Sequence, residues 1–437
     1  MIAEPGPSVL VLHRMGNPAL VPAFLPGHMR SIERSWPDGA CLFHDVSLPL
    51  PGWVRSLPFE AVFLDVTLLT TRWMGAAVHA PIRRDYAFVR DLPALRIAFP
   101  QDEYDCSATL DEWMCDWKVD VVVSVIDGHR DVLYPKFHRE GRIETGFTGY
   151  VDEKLIDRDW VPWAKRPIDI GYRAKRLPPY FGRLGELKWT IGRDMLDRAR
   201  GSGLSLDIRV GDGHALPGGA WIEFVGSCRA MLGTPSGSSL LDPRGDVQRS
   251  VRAFLRGRPD ASFEEVERTC FAGLDGTHVF SAISPRAIEA ALAGTVQLLV
   301  EGDYSGVLVA GEHYLPLRAD AGNFAELREA MRDEAAMLAV ARRCREAVLS
   351  DARLRRPNRD AWLRTLVLQH RSRRRLTPDT AVVKDGVRRY EAEIDAARRR
   401  LWRAQAWQAR LRRMLDRAPH GVATPLRSWV AGLRGRR

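Results

Sequence analysis

Glu289 is the residue of this chain whose surroundings best suit ligand chemistry. It lies five residues after Ser284 in the segment ISPRAIEAALAGT, where Arg286 is the only other charged side chain. Ser284 reads as a helix N-cap and Pro285 as a first-turn residue, so the free N–H groups of that start form an anion site suited to phosphate. A carboxylate among small and apolar side chains needs a partner, and the two hydroxyls of a ribose supply one. Phosphates at the helix start and a sugar ring near Glu289 make the layout of a nucleotide-sugar site. The same letters also suit a plain strand-helix unit in which Glu289 pairs with a nearby Arg. An apolar strand over 296–300 and a loop with Gly302, Tyr304 and Ser305 follow.

A second group of candidates comes after the apolar run LRIAFP, where Gln101-Asp102-Glu103-Tyr104-Asp105 brings three acids into five residues. In a parallel α/β sheet chemistry collects beyond the carboxyl ends of strands. Asp102 or Glu103 could there serve as the base that activates an acceptor hydroxyl. A solvated turn capping the next helix explains these acids equally well. His13, His28 and His129 also fall near strand ends or early loops, where histidine is more often structural than catalytic. The six cysteines, at 41, 106, 115, 228, 270 and 344, form no Cys-x-x-Cys pair and no metal-ligand spacing with histidine. They read as free thiols, which argues against a disulfide framework and against zinc.

These residues must be positioned by strands and crossovers. SVLVLH at 8–13 is a continuous apolar run of the kind covered on both faces, and further strands are expected over 40–44, 61–64, 95–99 and 119–125. Strands alternating with longer connections imply a doubly wound parallel sheet, though no Gly-x-Gly-x-x-Gly follows the first one. The Gly-, Trp- and Pro-rich stretch 141–167 reads as a domain end and connection. A second set opens with a strand over 168–171, continues with one over 204–210, a helix over 221–230 and a short strand ending in the loop 233–238, and closes with a charged amphipathic helix over 324–349. A chain of 437 residues exceeds one ordinary core. The expected division is 1–160, 161–350 and an Arg-rich helical extension over 351–437.

The extension holds the chain's basicity. From 351 to 437 there are 24 basic and 8 acidic residues, while the rest of the chain is mildly acidic. Tyr390, Ile394, Leu401, Ala404, Trp407 and Leu411 recur at helical spacing among arginines. That pattern suits an anionic membrane surface, or equally a partner helix or the protein's own surface. Nucleic acid is the least expected partner, because no recognition motif stands beside the basic residues. No apolar run is long enough to span a bilayer and no signal-like N-terminus is seen, so a cytoplasmic location is expected, with association at the inner face of the membrane as its extension.

ISPRAIEAALAGT, the following EGDYSG, and EHYLPLRAD together resemble the GT-B glycosyltransferases, in particular their bacterial group 1 and spore-maturation-protein-like branch. The resemblance covers roughly residues 165 to 350 well and the N-terminal part only in pattern. It implies an α/β fold of GT-B type, two Rossmann-like domains facing a cleft, with the basic helical extension added. It implies a nucleotide-sugar donor as co-substrate, no further cofactor and no fixed metal. Its donor contacts map onto Arg173, Lys188, Ser284 and Arg286 for the diphosphate, Glu289 for the ribose, and the backbone around Tyr304 and Ser305 for the donor phosphates. A QDEY-like segment would line the cleft, the 233–238 loop would lie near the nucleobase, and the 324–349 helix would return to the first domain. Ser281 stands where many retaining members carry a second acid, so a retaining mechanism is not carried over. The expected function is metal-independent transfer of a sugar to an acceptor hydroxyl on a glycan, lipid-linked molecule or protein. The alternatives are a sugar-nucleotide epimerase or hydrolase of the same fold, and a non-catalytic nucleotide-binding scaffold docked by its basic tail.

Overall fold

Ser8–His13 forms β1, and all six of its residues are buried. The period-two geometry of a strand sends Leu10 and Leu12 into one apolar core and Val9 and Val11 into another, one on each face of the sheet. The computed structural model describes residues 5–417 apart from 22, 23, 212 and 217. Around β1 lie β2 (Ala40–Asp45), β3 (Ala61–Leu64), β4 (Leu95–Ala98), β5 (Val121–Ser124) and β6 (Arg142–Thr145), all parallel in the order β2-β1-β3-β4-β5-β6. The sixth strand lies in the stretch expected to be a connection. It is a short polar edge, without the apolar run that marks its neighbours.

The second sheet is built from β7 (Ile168–Ala174), β8 (Leu206–Val210), β9 (Cys228–Gly233), β12 (Val296–Val300) and β13 (Leu315–Leu317), parallel in the order β13-β12-β9-β7-β8. Between them β10 (Ser236–Ser238) and β11 (Phe280–Ala282) form a separate antiparallel pair. Counted from its own first strand, the first sheet runs 2-1-3-4-5-6 and the second 2-1-3-4-5, the doubly wound order in which ligands sit beyond the carboxyl ends of the strands. The fold is thus α/β with two Rossmann-like units, and the helical extension is present.

Six helices carry or brace the mouth and the two sheets: α1 (Gly182–Arg198), α2 (Gly219–Gly226), α3 (Pro285–Leu292), α4 (Glu334–Ser350), α5 (Arg356–Arg374) and α6 (Thr380–Arg417). The helix expected over 221–230 stops at Gly226, and Cys228 already begins β9. The one expected over 324–349 is two helices, because Asp333 caps a fresh start by accepting from the Ala336 N–H at 3.0 Å. That second piece, α4, packs on α3 and β12 and puts Met337 and Ala341 into the second unit's core. The return to the first unit is made instead by α5 and α6.

Those two helices clamp the first sheet. Leu363, Leu366 and Val367 of α5 join Val9 and Val11 on one face, while Val383, Tyr390 and Ile394 of α6 join Leu10 and Leu12 on the other. Each such buried side chain contributes about 1.5–3 kcal/mol. Arg371 of α5 forms a buried ion pair with Glu60, whose Oε2 also accepts from the Ser8 N–H at 2.9 Å. Of the readings open for the extension, packing on the protein's own surface holds for α5 and for the inner face of α6 as far as Gln405. Residues 418–437, with the arginines beyond Arg417, lie outside the described residues. Among the described residues no helix is long and apolar enough to cross a membrane, and all six cysteines are free.

The two units meet along a seam near β4. Asp105 and Asp242 form a parallel bridge, with the Cys106 N–H donating to the Asp242 carbonyl at 2.7 Å and the Asp242 N–H to the Tyr104 carbonyl at 2.9 Å. Arg244 closes the seam on the outside with two 2.7 Å hydrogen bonds to Glu112.

Candidate functional site

The start of α3 is built as its letters suggest. Ser284 is extended at the N-cap (φ −85°, ψ 152°), its hydroxyl accepts from the Ala287 N–H, and Pro285 occupies the first turn. What holds the turn in place comes from elsewhere. Ser305, in the left-handed region at φ 57°, accepts from the Ile283 N–H at 3.0 Å. From the first unit, Thr148 donates to the Ile283 carbonyl at 3.1 Å, and Gly149 approaches so closely that a Cβ there would stand 2.8 Å from Pro285. The helix start therefore lies against the other unit, at the mouth between the two sheets.

Glu289 sits one turn further, half-buried, with one carboxylate oxygen accepting from the indole N–H of Trp221 on α2 at 2.7 Å. Burial raises its pKa, opposed by that hydrogen bond and by Arg286. The Arg286 guanidinium stands 4.9 Å from the Trp221 ring and donates to the Arg173 carbonyl at 2.5 Å. Lys188, on α1, donates to the Ser236 hydroxyl at 3.2 Å. Burial brings its pKa down to about 8, with the Asp102 carboxylate pulling upward and Arg286 downward. Two cations of the second unit and one carboxylate of the first thus act on one another across the mouth, with Lys188 and Asp102 half-buried and Arg286 exposed.

Asp102 stands at the carboxyl end of β4 in a left-handed conformation (φ 47°), and one of its oxygens accepts from the Tyr104 hydroxyl at 2.7 Å. The strained segment is pinned by Arg72. Its buried guanidinium donates to the carbonyls of Leu69, Gln101, Asp102 and Asp105 at 2.7–2.9 Å. Beside Asp102, Gln101 lines a small slot with Asp65, Phe99, Val123, Phe147 and Tyr150, at the carboxyl ends of β3 to β5.

Two expected site residues, Glu103 and Arg173, turn their side chains elsewhere, and the side chains of Tyr304 and Ser305 are occupied within the second unit. Glu103 is fully buried and points into the first unit. Its carboxylate accepts from the hydroxyls of Ser124 and Tyr134 at 2.7 and 2.5 Å and from the Val125 N–H at 2.9 Å, and burial raises its pKa to about 6. It anchors a loop and is no base for an acceptor. The Arg173 guanidinium faces away from the mouth, pairing with Asp207 at 2.7 Å and lying 4.0 Å from the Phe224 ring centre. Only the Arg173 carbonyl touches the site, by orienting Arg286. The Tyr304 ring is buried with its hydroxyl on the Val300 carbonyl at 2.6 Å, and the Ser305 hydroxyl is spent on Ile283. Their backbone, the part to which donor contacts were assigned, follows β12.

The histidines divide. His13 is buried at the end of β1, where its Nδ1 accepts from the Met15 N–H at 3.3 Å and burial lowers its pKa against the pull of Asp45. His129 of the first unit meets His278 of the second, with ring centres 5.2 Å apart and both rings against Phe280. The side chain of His28 lies outside the described residues. Among the described residues no three of His, Cys, Asp and Glu gather into a set that could hold a metal ion. Trp221 and Arg72 carry the site without having been picked from the sequence. Neither has a spacing that marks it, since their partners are 68 and about 30 residues away.

No protein-family model matches the sequence, and no curated protein matches it. Among solved structures, an α-glucosyltransferase in complex with UDP and a 13-mer DNA is similar at a TM-score of 0.47 and 8% identity, over 83% of this chain and 99% of that one. Sucrose-phosphate synthase from Thermosynechococcus elongatus gives 0.42 and 12%, over 83% and 98%. A GtfA/B complex gives 0.35 and 13%, and this chain spans 57% of the length of that one. At these scores nothing is transferred from those proteins to this chain.

Proposed function

We propose that the protein is a glycosyltransferase that takes a sugar from a nucleotide-activated donor and passes it to an acceptor hydroxyl, without a fixed metal ion. One observation carries the reading: Lys188 reaches Ser236, whose strand pairs with the one that leads into α3, Arg286 stands on the first turn of α3, Glu289 lies one turn on, and the Asp102 carboxylate of the other unit acts on Lys188. Two cations beside a helix N-terminus suit a diphosphate, and a half-buried carboxylate one turn on suits a ribose diol.

In this reading the second unit holds the donor, with Glu289 on the ribose and Lys188, the Arg286 guanidinium and the Arg286 N–H, the one first-turn N–H left free by Pro285 and the Ser284 cap, on the diphosphate. The acceptor enters from the first unit, along the slot beside Gln101. Its hydroxyl oxygen forms the new bond to the anomeric carbon as the bond from that carbon to the diphosphate oxygen breaks. The proton passes to Asp102, and the negative charge left on the nucleoside diphosphate is met by Lys188 and Arg286, fixed dipoles and charges that need no rearrangement. The enzyme would act in the cytoplasm, on acceptors in solution or at the inner face of the membrane.

A thermal-shift screen with UDP, GDP, ADP and their sugars tests the donor site. One nucleotide class should raise the melting temperature, and its sugar should then be consumed only when an acceptor is supplied. No shift with any nucleotide would end the reading. Donor consumption without an acceptor would replace transfer by hydrolysis or epimerisation.

A further inference from the structure

The helix α6 changes character along its length. Its first half is part of the first unit's core, with Tyr390 and Ile394 at 1% and 2% exposure. Further on, Gln405 still faces the protein, accepting from the Asn17 N–H at 2.7 Å and pressing on Gly16. The opposite side is bare. Trp407 is 59% exposed and Met414 69% exposed, one heptad apart, and the exposed Arg400, Arg403 and Arg410 fall on the same stripe at spacings of three and four.

Charge follows the same division. Arg398 and Arg399 are paired with Glu391 and Asp395, whereas among the described residues no ion pair engages Arg400, Arg403 or Arg410. From 396 to 415 the chain has seven arginines and no acid. The stripe runs about 21 Å at 1.5 Å per residue, long enough to lie flat in a headgroup layer. A large indole and a thioether centred among arginines is poorly used on a phosphate backbone, where only the cations find partners. At a lipid surface each component has one: the arginines the anionic headgroups, the two apolar side chains the acyl boundary.

We propose that the outer stripe of α6, centred on Trp407, docks the protein on anionic phospholipid, with the first unit held directly above it. The docking element is built into the first unit, whose Gly16 and Asn17 it touches through Gln405. The inference stands apart from the sugar-transfer reading, and its test does not use catalysis.

The full-length protein is floated with vesicles of phosphatidylcholine alone and with about 30% phosphatidylglycerol added. It should rise with the anionic vesicles only and be released by salt. The triple variant Arg400→Glu, Arg403→Glu, Arg410→Glu should lose binding about a hundredfold or more, and Trp407→Ser about tenfold, at an unchanged melting temperature because every one of these side chains faces solvent. Absence of the wild type from the anionic vesicles would overturn the proposal. So would undiminished binding by the triple variant, or displacement of the wild type from the vesicles by an equimolar DNA duplex or RNA hairpin, which would assign the stripe to nucleic acid.

Discussion

Trp221 donates its indole N–H to Glu289 over 2.7 Å, joining the helix before β9 to the helix before β12. The bond fixes one carboxylate oxygen and leaves the other to a ligand, so the two residues act as one unit. Glu289→Ala should raise the dissociation constant of the preferred nucleoside diphosphate about tenfold, and Trp221→Phe about fivefold. The double variant should be no weaker than Glu289→Ala alone, because the indole acts only through the carboxylate. Calorimetric titration of the three variants reads this directly, and additive losses would mean the two bind separately.

If the donor binds as proposed, Lys188 should make its affinity depend on pH. Its pKa near 8 in the free protein must rise when a diphosphate settles beside it, so binding takes up a proton in mildly alkaline solution. Affinity should be flat below pH 7 and fall about tenfold by pH 9. Lys188→Met should bind weakly at both pH values and lose the slope. A wild-type profile flat to pH 9 would remove Lys188 from the site.

Asp105 predicts the opposite kind of dependence, in stability. Burial, with Asp102 and Asp242 nearby, raises its carboxyl to about 7 against the pull of Arg72 and Arg252. The folded protein thus holds a proton that the unfolded chain releases near pH 4, and the stability tied to that proton is lost as pH rises through 7. Asp105→Asn, a neutral isostere, should raise stability at pH 8 by about 3 kcal/mol and change it little at pH 4. Denaturant unfolding at the two pH values checks the sign.

Arg173→Met separates a structural arginine from a binding one. It removes the partner of Asp207 and a guanidinium stacked on Phe224, but Asp207 is partly open to water and can re-solvate. The cost should be about 2 kcal/mol of stability, below the penalty for stranding a fully buried charge. Affinity for the nucleoside diphosphate should stay within about twofold, because the carbonyl that orients Arg286 is retained. A large loss of affinity in a stable protein would return the side chain to the site.

How much the sequence could reveal depends on how far apart the deciding partners are. The cap at Ser284, the proline after it and the isolated carboxylate at Glu289 are local features, and the structure brings them together as their spacing suggests. Asp102 and Glu103 could not be told apart. Which of two adjacent acids faces the mouth is decided by Arg72 and Tyr134, each about thirty residues away. The Arg173 guanidinium turns to Asp207 on the neighbouring strand, a partner 34 residues away that nothing local to Arg173 marks. In α6 the amphipathic period was plain, but a single period could not say that one face is spent on the first sheet and the other left open.

The clamp of α5 and α6 on the first sheet also sets an order of events during synthesis. The strands from Ser8 to Thr145 leave the ribosome early, yet the side chains that seal their two faces come only with Leu363 to Ile394. At about 5–20 residues per second the nascent chain carries an unsealed sheet for tens of seconds, while the middle unit can already close on itself. The first unit is born first and completed last, and a message cut short before codon 394 should yield a protein dependent on chaperones rather than a smaller stable fold.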